Sequence, residues 1–70
     1  MKIGEKIAFY RKKANMTQEE LAYEMEVSRQ SVYKWEHNVA LPELGKIQKL
    51  ITILNITYEE LLTMEEKKDE

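Results

Sequence analysis

Cysteine is absent from this chain of seventy residues, and histidine and tryptophan occur once each. Without a thiol there is no disulfide, no thiolate metal site and no cysteine nucleophile, and the composition suits a reducing cytosol. A lone histidine with no cysteine also leaves no metal-ligand spacing. Apolar runs such as Ile53-Leu54 and Leu61-Leu62 stop after a few residues, too short for a transmembrane helix or a secretory signal. Two glycines and one proline build no glycine-rich phosphate loop, and no nucleophile–base set stands out. The acids fall in helix first turns and at the C-terminal end, where capping and solvation account for them. No catalysis and no cofactor are expected.

What remains is rich in helix formers, chiefly Glu, Lys, Leu, Ala, Met and Gln, so the expected fold is all-α and a single small domain. A core of this size supplies only ~3–5 kcal/mol of net stability, which leaves room for a partner subunit. The formal charge of -2 is unevenly spread. Residues 57 to 70 hold six acids against two lysines, whereas residues 1 to 56 hold nine Lys/Arg against seven acids. The acidity therefore belongs to the C-terminal end, and the domain is expected at 1–65 with an acidic, charged tail at 66–70. For an anionic partner the local field matters more than the total.

Three helix starts share one pattern. Thr17, Ser28 and Thr57 each follow an apolar residue and precede another four places on, the arrangement of a capped N-terminus with a hydrophobic staple. At TQEE and TYEE a Glu stands where it completes a capping box. Asn15, Asn38 and Asn55 sit where a left-handed residue would close the preceding helix. The expected helices run at about 3–14, 17–25, 28–37, 42–54 (opened by Pro42) and 57–65. Their inward stripes are Ile3, Ile7, Tyr10 and Ala14; Leu21, Ala22 and Met25, with Val27 in the turn; Val32 and Trp35; Leu44, Ile47, Leu50, Ile51 and Leu54; Leu61 and Leu62. Trp35 is the expected core anchor. Tyr23 and Tyr58 read as partly buried surface aromatics.

Helices 2 and 3 are joined by only two or three residues centred on Glu26 and Val27, and the small Ala22 permits close approach. So tight a link gives the crossing of a helix-turn-helix. The third helix then turns Arg29, Gln30, Tyr33, Lys34 and His37 outward, with no acid between Arg29 and Lys34.

From residue 3 to residue 62, through TQEELA, VSRQSVYKWE and LPEL, the sequence resembles the phage-repressor/Cro-like (Xre-type) DNA-binding family. That resemblance implies a compact five-helix bundle of the lambda-repressor-like type. It implies base contacts from Arg29, Gln30 and Lys34, and backbone contacts from Gln18, Ser31, Tyr33 and Asn38, the last with main-chain N–H groups of its neighbours. It also pairs Arg11 with Glu36 as a structural ion pair. The sequence departs from the family at Glu26, where Gly is usual, and in NVALP, which lacks the usual Lys or Arg.

The function expected on this basis is a cytoplasmic, sequence-specific transcriptional regulator, a repressor, that binds double-stranded DNA as a homodimer. The candidate dimer surface is Ile56, Leu61, Leu62 and Met64. The alternatives are an antitoxin that binds both operator and toxin, a protein-docking module with the same fold, or the reader of a longer regulator with an effector domain.

Overall fold

The computed structural model describes residues 2 to 63. Five helices follow one another: α1 (Ile3–Lys13), α2 (Gln18–Met25), α3 (Arg29–Glu36), α4 (Leu44–Leu54) and α5 (Tyr58–Leu62). The chain is all-helical among the described residues. α3 packs between α1 and α2, α4 lies against α2, and α5 rests on α1 and α4. The tail at 66–70 and the end of the expected 1–65 domain fall outside the described residues.

The three capped starts are present. Thr17 Oγ1 accepts the Glu20 N–H at 3.0 Å while Glu20 Oε1 accepts the Thr17 N–H at 2.8 Å. Thr57 and Glu60 repeat this reciprocal box at 3.0 and 2.8 Å, and Ser28 accepts from Ser31 N–H at 3.1 Å. Each arrangement satisfies first-turn amides that the helix itself leaves unpaired.

The helix ends share a second pattern. Asn15, Glu26, Asn38 and Asn55 all adopt left-handed φ between 58° and 60°. In each case the next residue donates back to a carbonyl five positions earlier: Met16 to Arg11, Val27 to Ala22, Val39 to Lys34 and Ile56 to Ile51, all within 2.9–3.1 Å. This is the Schellman closure. Three times the closure leads directly into the next cap, as Asn15-Met16-Thr17, Glu26-Val27-Ser28 and Asn55-Ile56-Thr57, and the middle residue packs on the core. The fourth, Asn38-Val39-Ala40, has no cap to follow, and Val39 is 67% exposed.

That break moves the start of α4. Pro42 does not open the helix; Glu43 is its extended N-cap and the first helical residue is Leu44. Pro42 is buried and occupies the position just before the cap, where an apolar group staples the helix start rather than beginning it. α5 is shorter than the sequence implied. Thr63 is already extended, and its carbonyl accepts from the Lys6 ammonium, which ties the end of α5 to α1.

The core is Ile7, Leu21, Ala22, Met25, Val32, Trp35, Leu50, Leu54 and Leu61. Several stripe positions lie elsewhere. Ala14 is exposed because it sits in the turn that ends α1. Leu44, in the first turn of α4, is 70% exposed and Leu62 is 42% exposed; Tyr23, expected to be a partly buried surface aromatic, is 81% exposed. Gly4, which the helical pattern does not single out, is buried where α1 meets the end of α3. A Cβ there would overlap the carbonyls of Trp35 and Glu36, and its N–H donates to Asn38 Oδ1 at 3.0 Å.

Two changes test this packing. Trp35→Ala empties the contact between α3 and its neighbours and is expected to cost ~3–5 kcal/mol in urea unfolding. Glu26→Gly is expected to raise stability by about 1 kcal/mol, since glycine relieves the left-handed strain. The ion pair it removes, Glu26 with Lys49 at 3.6 Å, is exposed and contributes little.

Candidate nucleic-acid interface

Ser28 starts α3, and Val32, Trp35 and Glu36 face inward. The helical repeat therefore turns Arg29, Gln30, Tyr33, Lys34 and His37 to solvent, and all five are exposed. Ser31 is half-buried, with its hydroxyl 3.1 Å from that of Ser28. Tyr33 and His37 stack with ring centroids 4.0 Å apart, which stiffens the last turn of this face. Arg29 shares a shallow cleft with Arg11, Thr17, Gln18 and Glu19, so it stands beside the first turn of α2. The result is a convex face carrying a guanidinium, a carboxamide and an ammonium on an acid-free helix side.

Arg11 and Glu36 hold this face in place. Arg11 Nε and Nη2 donate to the two carboxylate oxygens of Glu36 at 2.6 and 3.1 Å, and Arg11 Nη1 donates to the Met16 carbonyl at 2.8 Å. The two side chains are only 9% and 4% exposed. Gln18 joins them, its Nε2 donating to Glu36 Oε1 at 2.9 Å. One hydrogen of that amide is thereby engaged, leaving the second to reach a ligand at the start of α2.

Asn38 differs from the sequence-based expectation. Its own N–H bonds to Trp35, and the amides of Val39 and Ala40 bond to Lys34. These main-chain donors close α3 and are not available to a phosphate. The Asn38 Oδ1 is taken by Gly4; the side-chain Nδ2 is the donor that remains. Glu26, the acid in the turn, points to solvent and lies near Lys49 of α4.

The candidate dimer residues on and around α5 do not form one surface. Leu61 is 1% exposed and belongs to the core of its own chain. A helix of five residues turns only one side to the bundle, and Leu61 is on that side. Ile56 is half-buried against the core, Leu62 is the exposed member, and Met64 lies outside the described residues.

Reading the sequence missed Gly4 and Lys6. Gly4 carries a weak signal, as one of only two glycines and set in a helix first turn. Lys6, 9% exposed, carries none, because its partner Thr63 stands 57 residues away.

A family model described as helix-turn-helix matches residues 7–61. The transcriptional activator BcrR of Enterococcus faecalis is 35% identical over 66 residues, which cover 94% of this chain and 32% of that protein. The cryptic phage CTXphi transcriptional repressor RstR of Vibrio cholerae is 38% identical over 61 residues, 87% of this chain and 54% of that one. The chain thus spans about a third and about half of the length of these curated relatives. Among solved structures, the biofilm master regulator SinR in complex with DNA superposes with a TM-score of 0.79 at 28% identity, covering 86% of this chain and 97% of that one.

The buried pair makes its own prediction. Arg11→Met leaves Glu36 buried without its main partner and is expected to cost ~3–5 kcal/mol, whereas the Arg11→Met/Glu36→Met double variant recovers most of that loss. Urea unfolding of both single variants and the double completes the cycle that separates the pair from its parts.

Proposed function

The chain belongs to the helix-turn-helix family, and from that premise we propose that it is a sequence-specific transcriptional regulator that reads a two-fold-symmetric DNA operator through the major groove with α3. The observation that carries this reading is the exposed side of α3. Arg29, Gln30 and Lys34 project from a helix whose opposite side is locked by Trp35 and Glu36. Arg29 suits guanine O6 and N7, Gln30 suits adenine N6 and N7, and Lys34 reaches a guanine or a phosphate. Ser31 and Tyr33 suit a phosphate or a thymine methyl.

Backbone anchoring falls to Gln18 and Asn38. The second amide hydrogen of Gln18 and the first-turn N–H groups of α2 that the Thr17 cap leaves unpaired favour an anion. Asn38 contributes through Nδ2. Because residues 38 to 42 carry no Lys or Arg, few phosphates are neutralised by charge, and the loss of affinity with added salt is correspondingly shallow.

Two copies on successive major grooves would set their recognition helices ~34 Å apart. Regulation follows from occupancy: a domain seated on a promoter excludes other proteins from it, which is repression. The work is binding without bond chemistry, and its expected place is the cytoplasm.

Arg29→Ala or Lys34→Ala is expected to keep the fold and to cost ~1–3 kcal/mol of operator binding per half-site, with relaxed preference at one base position. Gln18→Ala should instead weaken binding to all sequences alike. Fluorescence anisotropy with duplexes selected from random DNA measures both. Unchanged affinity and preference in the Arg29 and Lys34 variants would overturn the assignment of α3 to the bases.

A further inference from the structure

The cleft where the first turn of α2 meets the start of α3 is walled by Arg11, Thr17, Gln18, Glu19 and Arg29. Three of these five are engaged by the fold. Arg11 is closed off by Glu36 and the Met16 carbonyl. Thr17 exchanges hydrogen bonds with Glu20 through its hydroxyl and its N–H. Gln18 places one amide hydrogen on Glu36. Glu19 and Arg29 are exposed, and among the described residues the ion pairs join Arg11 to Glu36 and Lys49 to Glu26, leaving both of these charges without a partner.

Neither charge is fully accounted for by its own helix. Glu20, and not Glu19, is the acid of the Thr17 capping box. An acid in the first turn of α2 gains from the helix dipole, yet a carboxylate there repels any phosphate that approaches the same turn. Arg29 is the first residue of α3, where a cation is opposed by the helix dipole, and that first turn holds no acid to compensate it. The other acids of this side are committed, Glu20 to Thr17 and Glu36 to Arg11. One cleft thus holds two uncompensated charges of opposite sign, one on each helix of the helix-turn-helix.

We infer that Glu19 is a positioning residue for base readout, its carboxylate holding the Arg29 guanidinium edge-on to guanine when the domain is seated on DNA. This rests on the operator-binding reading above and extends sequence selection from α3 to α2. A guanidinium carries five N–H donors in a planar fork, and a bidentate contact to guanine takes two of them. A carboxylate on the far side accepts from the others, which fixes the plane of a long side chain that otherwise rotates freely. On a duplex without guanine at that step the carboxylate still opposes the phosphates and receives no compensating contact. Glu19 therefore lowers binding to unrelated DNA and widens the gap between right and wrong sequences, by repulsion as well as attraction.

Anisotropy titrations of the parent, Glu19→Ala, Arg29→Ala and the double variant test this on three duplexes. These are the operator from random-DNA selection, the same operator with adenine in place of the guanine whose preference Arg29→Ala relaxes, and an unrelated sequence. Glu19→Ala should lower the ratio of operator to guanine-replaced binding by about threefold to tenfold, and raise binding to the unrelated duplex by about twofold or more. With Arg29 already replaced, the same change should leave the ratio as it is. Both duplexes meet the same protein, so an effect on stability alone cancels from the ratio. An unchanged ratio in Glu19→Ala, even with a uniform rise in affinity, would overturn the inference, as would a fall that persists without Arg29. If Arg29→Ala relaxes no base position, the base contact itself fails and Glu19 has nothing to position. If Arg29→Ala does relax one and Glu19→Ala does not, only the role of Glu19 fails.

Discussion

A guanidinium and a carboxylate buried together hold this domain in register. Arg11 meets both oxygens of Glu36, a second face of the guanidinium takes the Met16 carbonyl, and Gln18 completes the shell around the carboxylate. Four points of the chain are thereby joined: the last turn of α1, the α1–α2 turn, the first residue of α2 and the last turn of α3. Removing two charges from water is costly, and such pairs contribute orientation more than net stability. Orientation is what an eight-residue helix needs if its outer side is to meet another molecule at a set angle. Trp35, the neighbour of Glu36, fills the core from the same turn, so one dipeptide supplies the apolar wedge and the polar joint.

The short connections have a common physical basis. A left-handed residue, an apolar residue that returns a hydrogen bond, and a hydroxyl that caps the next helix together reverse the chain in three positions. The left-handed conformation carries a cost, least for the three asparagines and greater for Glu26. Burial of Met16, Val27 and Ile56 offsets it. After α3 the scheme is interrupted. Val39 closes the helix without finding a core to enter, no hydroxyl follows, and the chain runs extended through a buried proline before α4 begins. The interruption leaves the side chains of Val39 and Leu41 exposed directly after α3.

Much of this was legible from residue types alone. The capped starts at Thr17, Ser28 and Thr57 and the left-handed asparagines depend on groups within four residues of one another. The helical period identified Ile7, Leu21, Met25, Val32, Trp35, Leu50 and Leu54 as inward. Periodicity reports a direction, however, and not a depth. Ala14 and Leu44 lie on inward-facing stripes and are exposed, Ala14 in the turn that closes α1 and Leu44 at the first position of α4. Tyr23 points away from the core although its neighbours Leu21 and Ala22 enter it. Leu61, plausible as a surface residue on a terminal helix, is enclosed by its own chain.

The amino-acid order by itself determined the number of helices, their order, the tight α2–α3 turn and which side chains of α3 share its outer side. All of these follow from hydrogen bonds and spacings inside a single turn or two. Only the tertiary structure decided which polar groups remain free to bind and which apolar groups remain uncovered. Asn38 caps Gly4 from 34 residues away, and Lys6 meets Thr63 across 57. The physical reason is that a donor's availability, or a leucine's exposure, is a property of whatever the rest of the chain brings beside it.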